Sequence, residues 1–390
     1  MFDQLLQIAQ SHPQENRPLT MQGEQILLIQ KPADIFAVMR APSHVLEKDL
    51  QWMRQILGPS RFTENGLAWQ ARRALSDTFF KEFSAPALAA ATKARVARMI
   101  FEAGRNPPAP CHSALYQLLL DVFLEVQFGV EQDQLPLIDA RAIMLLSDTA
   151  SRNTFVSNHY FKTIEPDARA AQLRAFKAAR EQALDALRRL RQGHAASQPI
   201  FARFTEAEAR GEIENVDLEV LNLIVAGVDS SSSALHWMVL ALASHPELAE
   251  GIRAEGGNAA ARFVEGALTF LPATPLVARR ALCDFSFADG RVLAPGHRVI
   301  ANLLGVNGTD ADTLIARIRD SVLAEDKLGR LLAFGAGERV CAGALFARQM
   351  LKAAVEGFAE LSAPKIVSGP LGALDWRLSL SLKQLPSVAF

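Results

Sequence analysis

Residues 334–343 read FGAGERVCAG, and the helical pattern ALFARQM (344–350) follows at once. Three glycines therefore surround a single cysteine immediately before a helix. Gly335 and Gly337 permit backbone conformations with positive φ and let the chain lie close to a flat ligand. Gly343 removes a side chain where the helix would otherwise collide with that ligand. The stretch predicts a tight, ligand-contacting loop at the start of a helix.

Cys341 is the residue of this loop that can bind a metal. Near a helix N-terminus its thiolate is stabilised by backbone N–H groups and the macrodipole, and Arg339 adds positive charge. The chain has 3 cysteines, and none forms a CxxC or CxxH pair, so a disulfide framework is not expected. The alternative is an ordinary buried cysteine that behaves as a small hydrophobe. The glycines at fixed offsets favour a persistent thiolate ligand instead.

Composition narrows the classes of protein to be considered. The 390 residues are 49% hydrophobic with a formal net charge of −1, so a large core is expected in one domain or two closely packed ones. The balanced charge gives no reason to expect nucleic acid or an acidic membrane as partner. The N-terminal segment 1–18 lacks a basic flank and a long apolar core, which predicts no membrane anchor and a cytoplasmic location.

Helical spacing dominates the chain, and strand signals are few and short. Apolar residues recur every three or four positions in segments 87–103, 113–128, 169–192 and 344–361. Short strands bounded by turn residues are predicted at 25–29, 285–288, 297–304 and 378–382. The fold is therefore expected to be mainly α with small accessory sheets.

A long apolar segment, residues 217–245, has a polar notch at its middle that contains Asp229, four consecutive serines and His236. Its length is sufficient to span a bilayer, but polar residues interrupt it halfway. A helix that is apolar on all sides is typical of a buried core. We therefore predict a buried central helix.

The cysteine loop resembles that of the cytochrome P450 family, whose pattern is FGxGxRxCxG. Every defined position matches, namely Phe334, Gly335, Gly337, Arg339, Cys341 and Gly343. The resemblance implies that the chain binds haem b with Cys341 as the axial iron ligand, whose electron density favours O–O cleavage. It also implies that Phe334 shields the thiolate and that Arg339 contacts a haem propionate.

The notch AGVDSS (226–231) resembles the oxygen-binding groove of that family, usually AGxDT or AGxET. Ala226 and Gly227 would let the helix pass over the haem, and Asp229 with Ser230 would relay protons through water. Ser230 replaces the commoner Thr and keeps the hydroxyl. The alternative is a helix in which serines bond back to the preceding turn.

Two further segments resemble the parts of the family that bind propionates. Trp69 and Arg73 lie in NGLAWQARRALSDTFF (65–80) at the spacing of one helical turn, which places both on one face. They would bind a propionate through the indole N–H and the guanidinium group. A third contact is expected from Arg279 or Arg280, with the register open by one residue.

One family motif is incomplete. The ExxR pair of the family corresponds here to Glu265 and Leu268, so its arginine is missing and the usual bracing of the core is in doubt. Arg262 lies one turn before Glu265 and could pair with it, but on a different surface patch. The segment 306–335 also differs from the Pro-rich, aromatic family pattern. Both departures fall where the two parts would interact, which suggests joint remodelling.

The resemblance implies the P450 fold, a triangular prism of helices with small accessory sheets, as a single domain over 1–390. A β-containing lobe is expected from about 1–60 with 274–304, and a helical haem-binding core from about 65–270 and 330–365.

The implied activity is a monooxygenase that inserts one oxygen atom from O2 into a hydrophobic small molecule. No fused flavin or nicotinamide domain is recognised, so a separate ferredoxin and ferredoxin reductase are implied as partners. Two alternatives stay open. One is a peroxide-using or redox-independent haem-thiolate enzyme, and the other is a non-catalytic haem-binding protein.

Overall fold

The structure is a computed structural model that describes residues 5, 7–8, 11–12, 15–21, 24–152, 165–193, 199–304, 310–324, 332–362, 364–367, 371–376 and 379–390. Helices make up most of the described chain. They are α1 (Pro32–Arg40), α2 (Gln51–Leu57), α3 (Gly66–Ser76), α4 (Ala85–Ala103), α5 (His112–Phe128), α6 (Ala140–Arg152), α7 (Pro166–Gln192), α8 (Pro199–Ala209), α9 (Val216–Ser244), α10 (Pro246–Glu255), α11 (Gly257–Phe270), α12 (Ala311–Leu323) and α13 (Ala344–Leu361).

Local sequence explains where several helices begin. Ser84 caps α4 by accepting a hydrogen bond from the Ala87 N–H, and Asn215 caps α9 by accepting one from the Leu218 N–H. The four helices predicted from apolar spacing correspond to α4, α5, α7 and α13, with boundaries that differ by three residues or fewer. The expected mainly helical fold is confirmed.

The strands are short and form small sheets. They are β1 (Arg17–Met21), β2 (Glu24–Ile29), β3 (Leu46–Lys48), β4 (Ala109–Pro110), β5 (Leu276–Ala281), β6 (Phe285–Ser286), β7 (Val292–Leu293), β8 (Arg298–Asn302), β9 (Lys365–Ile366), β10 (Leu374–Trp376), β11 (Leu380–Leu382) and β12 (Ser387–Ala389). The four predicted strands correspond to β2, β6, β8 and β11. Position 378 of the last prediction lies outside the described residues.

The largest sheet has five strands in the order β1-β2-β8-β5-β3. The β2–β8 pair is parallel and the other pairs are antiparallel. In the β3–β5 pair, Lys48 lies directly opposite Arg279. The sheet thus joins the N-terminal part of the chain to residues 276–302, while the division into two lobes stays a prediction.

The central helix α9 is the core of the helical part. It is long and apolar enough to cross a membrane, but 78% of its most apolar window is buried inside the protein. It packs against α5 and α13, and α13 packs against α4. Trp237 and Ile224, on either side of its middle, are 1% and 0% exposed. The predicted buried central helix is confirmed, and the notch at its middle faces a cavity.

Candidate active site

A cavity of about 360 Å³ lies where the start of α13, the middle of α9 and strands β3 and β5 meet. The predicted site residues come from four separate segments of the sequence, and all of them except Arg73 line this cavity. The lining residues of the prediction are Trp69, Ala226, Gly227, Asp229, Ser230, Arg279, Phe334, Arg339, Cys341 and Gly343.

The cysteine loop is closely packed against α1. Gly335 and Gly337 have φ values of 74° and 69°, in the left-handed region that favours glycine. A Cβ on Gly337 would lie 2.9 Å from the Cα of Arg40. Both the positive φ and this close approach therefore disfavour a side chain at Gly337. The Cys341 N–H donates to the Phe334 carbonyl at 2.8 Å, which closes the loop on itself. The backbone geometry expected from the glycine pattern is present.

Gly343 stands directly before α13 and leaves room for a neighbouring ring. A Cβ at this position would lie 3.3 Å from a ring carbon of Phe80. A side chain here would thus be in tight contact with Phe80, while the contact of this position with a ligand stays a prediction.

Cys341 is an exposed residue, and it lines the cavity. Burial raises the pKa of this thiol, and the Gly343 N–H together with the nearby cations Lys48, Arg61 and Arg348 oppose that effect. A cation or metal that binds the sulfur would favour its ionised form further. The thiol is thus placed as a metal ligand would be, in a site that already holds several positive charges.

Three buried cations stand at one edge of the cavity. Burial lowers the pKa of Lys48 to about 7, and repulsion from Arg279 and Arg339 lowers it further. Burial likewise lowers the pKa of Arg279 and of Arg339 to about 10 each. Within the described chain none of the three forms an ion pair with a carboxylate. Since like charges directly opposite in a sheet are destabilising, this cluster is suited to an anionic ligand.

Arg339 already has several neutral contacts. Its guanidinium carbon lies 3.7 Å from the ring centroid of Trp69, in cation–π geometry. It also donates to Ser43 Oγ, to the Glu64 carbonyl and to Asn65 Oδ1 at 3.2, 3.2 and 2.8 Å. These contacts hold the guanidinium at the cavity edge without neutralising its charge.

Arg73 is the predicted site residue that the structure places elsewhere. It donates to Asp77 and to the Glu338 carbonyl, both at 3.1 Å, and it does not belong to the cavity lining. Arg61 lines the cavity instead, while also pairing with Asp77 at 2.5 Å. The predicted role of Arg73 in binding a propionate is therefore untested, and Arg61 joins the candidates.

The structure distinguishes Arg279 from Arg280, the two candidates of β5 that the sequence left open. Arg279 is 4% exposed and lines the cavity, whereas Arg280 pairs with Glu47 of β3. Alternation along the strand explains the difference, because successive side chains point to opposite faces.

On the α9 side of the cavity, the polar groups bond in a way that the sequence did not predict. Ser230 Oγ donates to the Ala226 carbonyl at 3.1 Å, one turn back in the same helix. Asp229 Oδ2 accepts a hydrogen bond from Ser379 Oγ at 2.6 Å, and Ser379 also lines the cavity. The alternative that we considered for the serines, bonding back to the preceding turn, is present at Ser230.

Asp229 is enclosed by hydroxyl groups. Burial raises the pKa of its carboxyl group, whereas the hydrogen bond from Ser379 and the nearby hydroxyl groups of Ser147 and Tyr116 lower it. A carboxyl group whose pKa is raised takes up a proton more readily than a free one, and it can pass that proton to a neighbouring hydroxyl group or water. Asp229 therefore meets the requirement for proton transfer, with Ser379 as its hydroxyl neighbour.

In the incomplete ExxR motif, the Glu265 carboxylate pairs with a different arginine from the one considered in the sequence. Leu268 is 4% exposed and lines the cavity. Arg262, one turn before Glu265, pairs with Glu255. The Glu265 carboxylate instead accepts from the Arg348 guanidinium, at 2.6 Å between Nε and Oε1. An arginine from α13 thus stands where the sequence suggested that none was available.

These residues fit a haem. Its flat ring needs a cavity lined by small residues, and Ala226 and Gly227 belong to the lining, although a Cβ on Gly227 would meet the Phe123 ring at 3.1 Å. Its two propionates need cations, and Lys48 and Arg279 are buried without a carboxylate partner in the described structure. Its iron needs a thiolate of the kind that Cys341 can supply. The donor set is therefore suited to an iron porphyrin with two carboxylates.

A family model for cytochrome P450 matches residues 18–311. This match covers more than half of the chain, and it ends before the cysteine loop. The chain therefore belongs to the cytochrome P450 family, a family of haem-containing monooxygenases, which confirms the expected family and enzyme class.

Named relatives are distant. The aromatase of Canis lupus familiaris is 23% identical over 85% of this chain and 71% of its own length. A flavonoid 3'-monooxygenase of Crocosmia x crocosmiiflora is 26% identical over 39% of this chain, and the match spans 36% of that relative. A crystal structure of a 6-coordinated cytochrome P450 from Thermus thermophilus superimposes with a TM-score of 0.74 at 19% identity, covering 99% of this chain and 97% of the other.

Sequence reasoning missed Lys48, Arg61, Arg348 and Ser379, which lie near the predicted residues. Lys48 gave no signal because its strand, β3, is only three residues long. Arg61 lies in a stretch without regular periodicity, and Ser379 comes from the C-terminal part of the chain. Only Arg348 was recognisable in principle, because it follows the cysteine by seven positions in the same helical pattern.

Proposed function

We propose that this protein is a cytoplasmic monooxygenase that holds haem b through Cys341 and hydroxylates a hydrophobic small molecule. The balance is RH + O2 + 2 e⁻ + 2 H⁺ → ROH + H2O. A separate ferredoxin and its reductase supply the electrons. When bound, the haem iron supplies dioxygen activation.

One observation carries this proposal. The Cys341 thiol and the cations Lys48, Arg279 and Arg339 belong to the same cavity, which also includes the small residues of α9. A cysteine with no ligand to bind would not require unpaired cations in the same cavity. A ligand that carries two carboxylates and a metal ion that prefers a soft thiolate donor explains both the cations and the cysteine.

The residues of α9 and of the β10–β11 region handle the protons. Asp229 holds a proton in its enclosed position, and Ser379 orients the carboxyl group through the 2.6 Å hydrogen bond. Ser230 keeps its hydroxyl at the cavity edge, anchored on the Ala226 carbonyl. We infer that Asp229 is the principal proton donor and that Ser230 positions water beside it.

The remaining lining is mostly apolar and suits a hydrophobic substrate. Phenylalanine and aliphatic side chains border the same cavity, including Phe62, Phe123, Leu223, Val225 and Ile300. Such lining excludes water and binds apolar molecules with few orienting polar contacts.

The test is turnover by the purified, haem-loaded protein with a generic ferredoxin, ferredoxin reductase and a library of apolar compounds. We expect hydroxylated products that contain one atom from labelled O2, formed only when all electron-transfer components are present. Cys341→Ser is the matched control and should give none. If no compound in the library shifts the spectrum of the ferric protein or is oxidised, the monooxygenase proposal is wrong.

A second candidate function is oxidation by peroxide, RH + H2O2 → ROH + H2O, without external electrons. The bonding of Ser230 to the Ala226 carbonyl favours it, because this hydroxyl is then engaged within its own helix. A peroxide-only arm of the same assay distinguishes the two. Product from peroxide, together with none from O2 and reductase, would favour this second function.

A further inference from the structure

Arg348 joins three parts of the molecule that meet beside the cysteine loop. We propose that Arg348 is a positioning residue that fixes the thiolate-bearing loop, by binding Glu265 with its guanidinium edge and Phe334 with its guanidinium face. This inference rests on the proposed role of Cys341. It assigns the bracing of the loop to a residue of α13, at a position where α11 carries Leu268.

The contact with Glu265 uses two nitrogen atoms. Arg348 Nε donates to Glu265 Oε1 at 2.6 Å, and Nη2 lies 3.4 Å from Oε2. This fork fixes the plane of the guanidinium as well as its position. Both side chains are partly exposed, at 37% and 35%. In such a setting the ion pair alone contributes little to overall stability. Its role is therefore to orient the Arg348 guanidinium.

The face of the same guanidinium covers the first residue of the loop. The guanidinium carbon lies 4.4 Å from the ring centroid of Phe334, within cation–π distance. A lysine at this position would keep a charge for Glu265 but would lose the flat surface that covers the ring. The contact therefore depends on arginine in particular.

Phe334 in turn sets the position of the cysteine. Its carbonyl accepts the Cys341 N–H at 2.8 Å, and its side chain lines the cavity with the thiol. A shift of Phe334 is transmitted to Cys341 through this hydrogen bond. The contacts run from Glu265 of α11 through Arg348 to the loop. The position of α11 therefore affects the loop indirectly, through Arg348.

Neighbouring groups do not replace this contact. Leu268 is buried in the cavity wall and has no charge to offer. Arg262 is engaged with Glu255, whereas Glu265 pairs with Arg348. Removal of either Arg348 or Glu265 should therefore release Phe334 without opening the core of α9.

The experiment follows the reduced, carbon monoxide-bound protein by absorption. The red-shifted Soret band reports thiolate ligation, and its conversion to the unshifted band at a fixed mild denaturant concentration gives a half-life. We expect Arg348→Ala to shorten this half-life about tenfold at unchanged haem content. The half-life of Arg348→Lys should lie between those of the wild type and Arg348→Ala. The matched control is Arg98→Ala, which removes an exposed ion pair with Glu102 on α4 and should keep the wild-type half-life.

Two more variants keep the result interpretable. Glu265→Gln preserves size and keeps Arg348 itself, so it is the milder change and should shorten the half-life by a smaller factor. The charge exchange Glu265→Arg with Arg348→Glu restores the ion pair but not the stacked ring, so it should recover only part of the loss. A wild-type half-life in both Arg348→Ala and Glu265→Gln would overturn the inference and leave the proposed function intact. Absence of the red-shifted band in the wild type would overturn both.

Discussion

The two walls of the cavity are built on different principles. The loop wall, residues 334–343, has irregular backbone that is held by close contacts, such as Gly337 against Arg40 and Phe334 under Arg348. The helix wall, residues 226–231, is regular α9, in which Ser230 bonds to its own preceding turn. The loop wall should therefore fail when its packing is changed, whereas the helix wall should keep its structure and lose only its chemistry.

Gly337→Ala should give the largest effect and is the sharpest test of the loop wall. Its Cβ would meet backbone atoms of Arg40 at 2.9 Å, and the φ of 69° is unfavourable for alanine. We expect a loss of about 3 kcal/mol or more in unfolding free energy and poor retention of haem. Gly290→Ala is the matched control, since its φ is 82° with no atom within 4 Å. It should cost about 1 kcal/mol, and equal losses would show that packing at Gly337 is unimportant.

Asp229→Asn tests whether the helix wall carries chemistry rather than structure. It removes the proton while keeping the shape and the contact with Ser379. We expect product formation to fall about 100-fold, with haem content and melting temperature unchanged. Ser230→Ala should have a smaller effect on rate. Parallel loss of haem and activity in Asp229→Asn would mean that the residue is structural.

Acid should affect the stability of α9 through His236, which follows the helix wall by five residues in the same helix. Burial lowers the pKa of His236 from 6.5 to about 3. Between these values the unfolded chain binds a proton and the folded chain does not, so stability falls as pH falls from about 6.5 toward 3. The loss should be about 2 kcal/mol at pH 5. Denaturant titrations at several pH values give the unfolding free energy, which should fall more steeply with decreasing pH in the wild type than in His236→Gln. An identical pH dependence in the two proteins would contradict the assignment.

Substitution of a single cation at the cavity edge should have the smallest effect, a modest loss of haem affinity. Lys48→Met and Arg279→Met should each weaken haem binding about tenfold, because each removes one charge from the anion site. Arg73→Met is the comparison, since Arg73 lies outside the lining and bonds to Asp77. Competitive transfer of haem to an apo-acceptor protein would measure the three affinities. If Arg73→Met lowered haem affinity as much as the other two substitutions, Arg73 would count as a haem-binding residue.

The sequence predicted most of what is local. The glycine and cysteine spacing of 334–343 identified the loop, apolar periodicity located α4, α5, α7 and α13, and the long apolar segment 217–245 located α9. These signals succeed because a helix face or a positive φ is determined within a few residues of the chain.

Contacts between distant segments were beyond sequence reasoning. Lys48 meets Arg279 only through the register of β3 and β5, and Ser379 reaches Asp229 from 150 positions away along the chain. Arg348 was visible as a helical residue, but its pairing with Glu265 depends on how α11 and α13 pack. Such partners are fixed by tertiary packing, for which a single sequence has no periodic signal.

The central claim is that Cys341 ligates a haem iron as a thiolate, and one spectrum tests it most directly. The purified protein is reduced under carbon monoxide, and its absorption is compared with that of Cys341→Ser prepared in the same way. We predict a strongly red-shifted Soret band in the wild type and its absence in Cys341→Ser. An unshifted band in the wild type, or the same red-shifted band in both proteins, would contradict the assignment.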